Sequence, residues 1–333
     1  MSDVRGLVNA IKKETKKTKG ADGSGDIMIM SDKPSLMPRL TTGCISFDAI
    51  LGGGLPIGRI IEIYGEEGSG KTTVTLQILK SVQQAGGVGV FIDVENAIDI
   101  EYAENIGVDI DSLIISQPDS GEEAMDMIRH LLNKKAEYCG DRVMVIIVDS
   151  AAALASNDEL SGKVGDLKVS PVARLLSMTL RRLKSKVNKS GAILIFTNQM
   201  RANIGKWHGG DSATGGKALK FYSAVRIELA LRQKIKDGDD LIGQYIRIKT
   251  VKNKTYPPFK EREVKIIWGK GIDAIESLFA EGCATGIISK KGSWFQYGTI
   301  KAQGEDDFID MIADNTKSLI LLERQVHNRI FSK

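Results

Sequence analysis

The amino-acid sequence predicts an α/β protein with a mostly parallel central sheet, a helix ahead of it and a small α+β region behind it. Two observations lead there. From Arg59 onward, four apolar runs rich in β-branched residues, RIIEIYG, VGVFIDVE, VMVIIVDS and AILIFTNQ, alternate with segments of helical periodicity. Continuous apolar strands separated by helices pack as a parallel sheet covered on both faces. The first run also opens into GEEGSGKTT and then VTLQILKSV, the strand, glycine loop and helix order of a phosphate-binding loop.

Taking the elements in order, VNAIKK lies in a first helix whose Val4, Leu7, Val8 and Ile11 form one stripe under a basic face. Arg5, Lys12, Lys13, Lys16, Lys17 and Lys19 stand there against only Asp3 and Glu14, so the +4 net charge of the 333 residues gathers at this end. The run KGADGSG ends the helix. A helix this short needs a surface to cover its stripe, and the glycine-rich link lets a neighbouring molecule provide it; a loose solvated tail fits the same residues. After the four runs, AVRIELALR, QYIRIKTVK and EVKIIWG extend the sheet, with an antiparallel hairpin among them. From about Gly271, DAIESLFAEG begins a helical module with a short hairpin at SWFQYGTI. The expected organisation is residues 1–33 as helix and linker, 34–270 as the core, and 271–333 as a small C-terminal domain.

Composition narrows the class. Cys44, Cys139 and Cys283 are far apart and form no CxxC pair, which argues against a disulfide framework or a zinc site. No apolar stretch approaches membrane-spanning length and no signal-peptide pattern opens the chain, so a cytoplasmic protein without a membrane partner is expected.

Ligands of parallel sheets sit beyond the carboxyl ends of the strands, and there each run stops in polar residues. Gly65, Glu66, Glu67, Gly68, Ser69, Gly70, Lys71, Thr72 and Thr73 form the loop whose amides wrap nucleotide phosphates, with Lys71 reaching the terminal phosphates and Thr72 available to magnesium. Asp149 closes VIIVD about 80 residues on, the acid that serves magnesium in phosphate-loop ATPases. A nucleoside triphosphate and Mg2+ are therefore the expected ligands. Glu95 is placed to deprotonate an attacking water. Gln199 cannot act as a base, yet its amide can feel a γ-phosphate, and it stands at the root of MRANIGKWHGGDSATGGKALK. Basic residues, Ile204 and Trp207 on that glycine-rich stretch suit single-stranded nucleic acid; an active-site lid is the rival explanation. A second long loop, ASNDELSGKVGDLKVSP, leads into the basic helix ARLLSMTLRRLKSK. The two loops span about 155–173 and 200–217.

At this point the sequence closely resembles the bacterial RecA recombinase family over nearly its whole length. The residues that carry the likeness are GEEGSGKTT, FIDVENAIDIEYAENIGVDIDSLIISQPDSGEEA, VIIVDS, IFTNQMR, TGGKALKFY and VKNK. The resemblance implies a RecA-like phosphate-loop ATPase core with an N-terminal polymerisation helix. It implies a DNA-dependent ATPase that forms helical filaments of its own copies on single-stranded DNA, pairs them with homologous double-stranded DNA and exchanges strands. It further implies Glu95 as catalytic base, Gln199 as γ-phosphate sensor, and Asp99 and Tyr102 against the adenine. Lys252 and Lys254 would reach a neighbour's ATP, with Phe221 at the same interface. DNA contacts would come from Arg174, Ser177 and Arg181, and from Arg201, Ile204, Gly215, Gly216 and Lys217. The chain departs from the common pattern at Ala230 and Leu231, where relatives often carry arginines, and its last residues, LERQVHNRIFSK, are basic, so control by an acidic tail is not expected. A ring helicase on the same core, or a scaffold that uses ATP only to assemble, are the other functions weighed.

Overall fold

The computed structural model describes residues 3–19, 27, 29–32, 37–161, 171–201, 212, 213 and 217–332. The chain divides into two units, Met1–Pro38 and Arg39–Lys333. In the first, helix α1 (Val4–Lys19) begins where Asp3 Oδ1 accepts the Gly6 N–H at 2.8 Å, an N-terminal cap for orphan amides. Half of the apolar stripe, Val4 and Leu7, is exposed at 52% and 61%, so this helix carries an apolar face that its own unit does not cover.

The second unit opens with β1 (Arg39–Leu40), α2 (Ile45–Leu51) and β2 (Leu55–Pro56), and continues through β3 (Ile60–Gly65), α3 (Lys71–Gln84), β4 (Val88–Asp93) and α4 (Ile100–Ile106). Next come β5 (Ile114–Ser116), α5 (Gly121–Cys139), β6 (Met144–Asp149), α6 (Asn157–Leu160), α7 (Pro171–Ser190), β7 (Ile193–Arg201), β8 (Ser212–Ala213) and α8 (Ala218–Tyr222). Long strands β9 (Val225–Asp237) and β10 (Asp240–Asn253) lead to β11 (Glu261–Ile267) and β12 (Gly271–Ile272). The chain then forms α9 (Ala274–Ala284), β13 (Ser289–Lys291), β14 (Trp294–Tyr297), β15 (Ile300–Gln303), α10 (Glu305–Ala313) and α11 (Thr316–Phe331).

The main sheet runs β12-β11-β10-β9-β3-β7-β6-β4-β5, with β8 added to β7. From β9 to β5 neighbours are parallel, while β10, β11 and β12 join antiparallel. The period-two alternation of strands divides the apolar runs between two layers. Ile61, Ile63, Phe91, Ile147 and Ile195 pack with α3 on one face; Ile60, Val90, Ile92, Ile146, Val148 and Phe196 pack with α5 and α7 on the other. Each such side chain contributes about 1.5–3 kcal/mol on burial, so a charge at Ile147 or Ile146 would break the sheet from either side.

The C-terminal elements close on a third cluster in which the Phe279 ring lies 5.0 Å from Phe295 and 5.7 Å from Phe308. Ile45 of α2 packs against this cluster, and the buried Glu281 on α9 accepts from Ser46 Oγ at 3.0 Å and Arg262 Nε at 2.6 Å, binding the two regions by apolar contact and charge together. The expected hairpin at SWFQYGTI is β14–β15, with β13 added on its other side. Among the described residues no helix is long and apolar enough to cross a membrane.

Candidate nucleotide site at the carboxyl ends of the strands

Register fixes the neighbours of the phosphate loop. Gly65 at the end of β3 pairs with Gln199 on β7, and Asp93 on β4 pairs with Asp149 on β6. Four strand ends therefore present their polar residues on one edge, as their order in the chain suggested. The edge is a glycine site by necessity: a Cβ on Gly65 would lie 2.3 Å from the Leu229 carbonyl oxygen and 2.5 Å from Ser69 Oγ. Gly70, at φ 86°, precedes α3 without a side-chain cap, so the first amides of that helix are left for a ligand. Ser69 is buried and donates its hydroxyl to the Glu66 carbonyl at 2.7 Å, closing the loop on itself.

Lys71 Nζ donates to the Gly65 and Glu66 carbonyls at 3.2 and 2.7 Å, which holds the ammonium inside the loop. Burial pulls its pKa below the usual lysine range, and Asp149, Glu95 and Glu67 oppose that shift. Asp149 accepts from Thr72 Oγ1 at 3.0 Å and from Thr197 Oγ1 at 2.5 Å. Burial pushes the Asp149 carboxyl above its ordinary value, while those two hydroxyls pull it back.

Glu95 reaches the same cleft from the turn after β4, and its Oε1 accepts from Ser150 Oγ at 2.5 Å. The buried carboxylate of Asp93 shapes that turn: it accepts the amides of Ala97 and Ile98, each at 3.2 Å, and the Gln117 amide at 3.0 Å. Asp99, expected against an adenine, caps α4 by accepting the Tyr102 N–H at 3.0 Å and is not among the lining residues. Tyr102 does line the cleft, its hydroxyl 2.8 Å from Thr73 Oγ1.

The cleft holds about 360 Å³ and is lined by Glu67, Gly68, Gly70, Lys71, Thr72, Thr73, Glu95, Tyr102, Asp149 and Gln199, together with Gln244 and Trp268. The last two were not anticipated. Gln244 Nε2 donates to the Gly68 carbonyl at 2.9 Å, bracing the loop from β10. No local motif marks either residue, since an alternating strand of polar and apolar residues gives no sign of which glutamine meets a loop far back in the chain.

Lys252 and Lys254 are not brought to this cleft. Lys252 pairs in register with Arg226, which pairs with Glu62 inside β3, and the Lys254 N–H donates to the Ala224 carbonyl, while the Ala224 N–H donates to the Ile60 carbonyl at the start of β3. Lys252 Nζ donates to the carbonyls of Lys220 and Phe221 at 2.6 and 3.2 Å, at the end of α8. Burial, then the nearby Lys254 and Arg226, depress the Lys252 pKa. Phe221 is 68% exposed beside them.

On α7, Leu176, Leu180, Leu183 and Val187 form the buried stripe, leaving Arg174 and Arg181 exposed and Ser177 half-buried. Arg174 also lines a groove with Met178 and Arg182. Arg201 ends β7 and Lys217 precedes α8. Ile204, Gly215, Gly216, Trp207 and residues 162–170 of the first loop lie outside the described residues. So do residues 20–26 of the glycine-rich link.

Comparison with known proteins agrees with this arrangement. The family model of the RecA N-terminal domain matches residues 8–273. Protein RecA of Thermotoga neapolitana is 41% identical over 339 residues, covering 99% of this chain and 95% of that protein. Protein RecA of Mycobacteroides abscessus is 43% identical over 315 residues, 92% of this chain and 88% of that protein. Protein RecA of Synechococcus elongatus is 41% identical over 311 residues, 92% and 86% respectively.

Proposed function

The chain belongs to the RecA family of recombinases, DNA-dependent ATPases that pair and exchange strands, and we propose that it spends ATP on ordering residues 200–217 around single-stranded DNA inside a filament of its own copies. The observation that carries this is the β7 strand: Gln199 lines the nucleotide cleft, and the basic, glycine-rich stretch begins one residue later. A contact made or lost at Gln199 is therefore felt at the root of the loop.

The donor set suits a nucleoside triphosphate. The glycine cradle at Gly65 and the uncapped amides of α3 accept phosphate oxygens, and Lys71, already among carbonyl oxygens, turns its ammonium to them. Thr72 and Asp149, in contact with each other, are the pair that would hold magnesium, whose chemistry is to neutralise charge on the phosphates. Glu95, fixed by Ser150, takes the proton of the attacking water. Tyr102 offers a flat surface to the base.

Lys252 and Lys254, remote from their own cleft, complete the site of the next protomer, and the exposed Val4 and Leu7 of α1 dock on a neighbouring copy. Arg174, Ser177 and Arg181 on α7, with Arg201 and Lys217 at the ends of the loop, carry phosphate contacts; Ile204, Gly215 and Gly216 complete the grip. Double-stranded DNA is the second substrate.

ATP turnover should rise on addition of single-stranded DNA, and protection of residues 200–220 from hydrogen exchange should increase in the order ADP, ATP analogue, analogue with DNA. Equal protection in all three states would make the stretch a lid and remove the coupling. A closed ring on imaging with ATP and DNA would replace the filament by a ring motor.

A further inference from the structure

Glu62 is a buried charge, 1% exposed, that belongs neither to the nucleotide cleft nor to the apolar layers. It sits on β3 between two parallel neighbours, and each of its oxygens is tied to a different one. Asn198 Nδ2 on β7 donates to Oε1 at 3.0 Å, and Arg226 Nε on β9 donates to Oε2 at 2.5 Å. On the β7 side, Asn198 uses its other amide atom: its Oδ1 accepts the backbone N–H of Gln199 at 3.0 Å. On the β9 side, the Arg226 guanidinium stacks 4.5 Å from the centre of the Tyr64 ring. Arg226 is also the register partner of Lys252 on β10, whose ammonium holds the Lys220 and Phe221 carbonyls at the end of α8. Hydrogen bonds thus join Asn198, Glu62 and Arg226 across three adjacent strands, with Gln199 beside Asn198 on β7 and Lys252 opposite Arg226 on β10, four strands spanning about 14 Å at the usual strand spacing.

We propose that Glu62 is a positioning residue that couples the γ-phosphate side of one nucleotide site, through Asn198 and Arg226, to the lysine that completes the next site. This rests on the roles given above to Gln199 and Lys252. The physical basis is that both carboxylate oxygens are engaged by charge-assisted or amide donors in a site with almost no water. A shift of β7 at Asn198 cannot be absorbed by solvent and must be followed by Glu62 and hence by Arg226. A buried, fully partnered network of this kind has few alternative arrangements, which suits it to a two-state response. Arg226 and Lys252 are both cationic and adjacent; Glu62 offsets their repulsion and so favours Lys252 at the α8 carbonyls while it holds Arg226.

The test uses the full chain with single-stranded DNA. Glu62→Gln keeps the length of the side chain and removes its charge. The tightening of DNA binding by ATP analogue over ADP should fall by roughly tenfold, and the Hill coefficient for ATP in DNA-dependent hydrolysis should drop toward one, while ATP affinity without DNA stays within about twofold. The double variant Glu62→Gln/Arg226→Gln leaves no unpaired buried guanidinium, guards against loss of folding, and should show the same uncoupling. A lowered melting temperature with wild-type tightening and Hill coefficient in either variant would mean that Glu62 only stabilises the sheet, and would overturn the inference. Gln199→Ala separates this from the sensor role: if it leaves the tightening intact while Glu62→Gln removes it, the sensor role falls and the proposed route falls with it. If Gln199→Ala removes the tightening and Glu62→Gln does not, only the route through Glu62 is overturned.

Discussion

At the carboxyl ends of β3, β4, β6 and β7, Lys71, Thr72 and Thr197 close around Asp149 and the loop carbonyls, and each of these side chains has a partner in its own chain. Where β9 and β10 reach the other level of the sheet, Lys254 and Phe221 are exposed and Lys252 donates to the two carbonyls at the end of α8. The difference follows from strand type. Parallel strands are covered by helices on both faces, so their interiors are mostly apolar, with the fully partnered Glu62 as an exception, and most of their polar residues gather at the ends, where they converge. The antiparallel strands β10 and β11 leave much of one face to solvent and carry ion pairs there, such as Arg247 with Glu228 and Lys249 with Glu261. The first edge gathers its polar groups around one cleft, whereas the second presents Lys254 and Phe221 to solvent, where the proposed neighbour would meet them.

The strongest way to break that comparison is at the nucleotide edge. Lys71→Ala should lower ATP turnover on the order of 10²–10³-fold and abolish ATP-dependent DNA binding, because amides alone do not neutralise the terminal phosphates. Steady-state turnover and DNA titration with ATP analogue check it, and near-normal hydrolysis would deprive the loop of its role. A smaller effect sharpens the contrast with the second edge. Lys252→Ala/Lys254→Ala protein, inactive alone, should regain part of its ATPase when mixed with Lys71→Ala protein, since a mixed interface joins an intact loop to intact lysines. Absence of rescue at every ratio, with co-assembly shown by cross-linking, would place both functions in one chain.

The smallest effect concerns stability. The folded-state pKa of Asp149 lies above its ordinary value because of burial. A carboxyl raised in this way favours the folded state in its protonated form; that contribution is full below the ordinary carboxyl pKa and is lost as pH rises through the folded one. At neutral pH the ionised group is therefore a cost to the nucleotide-free protein. Asp149→Asn should raise its stability by about 1 kcal/mol at pH 7, with the advantage shrinking as pH falls toward the carboxyl range, while hydrolysis is lost. Urea denaturation at the two pH values measures it, and a melting point lowered at neutral pH would show that the Thr72 and Thr197 hydroxyls outweigh desolvation.

Much of the nucleotide edge was legible because its parts are local. A glycine loop between strand and helix, an acid closing an apolar run and a glutamine at a strand end each declare themselves within about ten residues, and parallel packing brings such ends together. Asp99, expected against an adenine, is the N-cap of α4 in the structure, a role that its local neighbours decide. Gln244 and Trp268 were not legible, since they meet the loop from β10 and from the turn after β11, and only the antiparallel return of those strands brings them there.

Glu62 makes the division sharpest. Within RIIEIYG it reads as a single polar residue in an apolar strand, with nothing in its neighbours to say whether it faces solvent, a cofactor or another side chain. Periodicity and motif were enough for strand, loop and helix, because backbone preference and alternation act over a few residues. The partners of a buried charge depend on which strands flank it and in what register. Here β7 arrives from well over a hundred residues later on one side and β9 from later still on the other, and it is their parallel pairing with β3 that turns an isolated carboxylate into the join between Asn198 and Arg226.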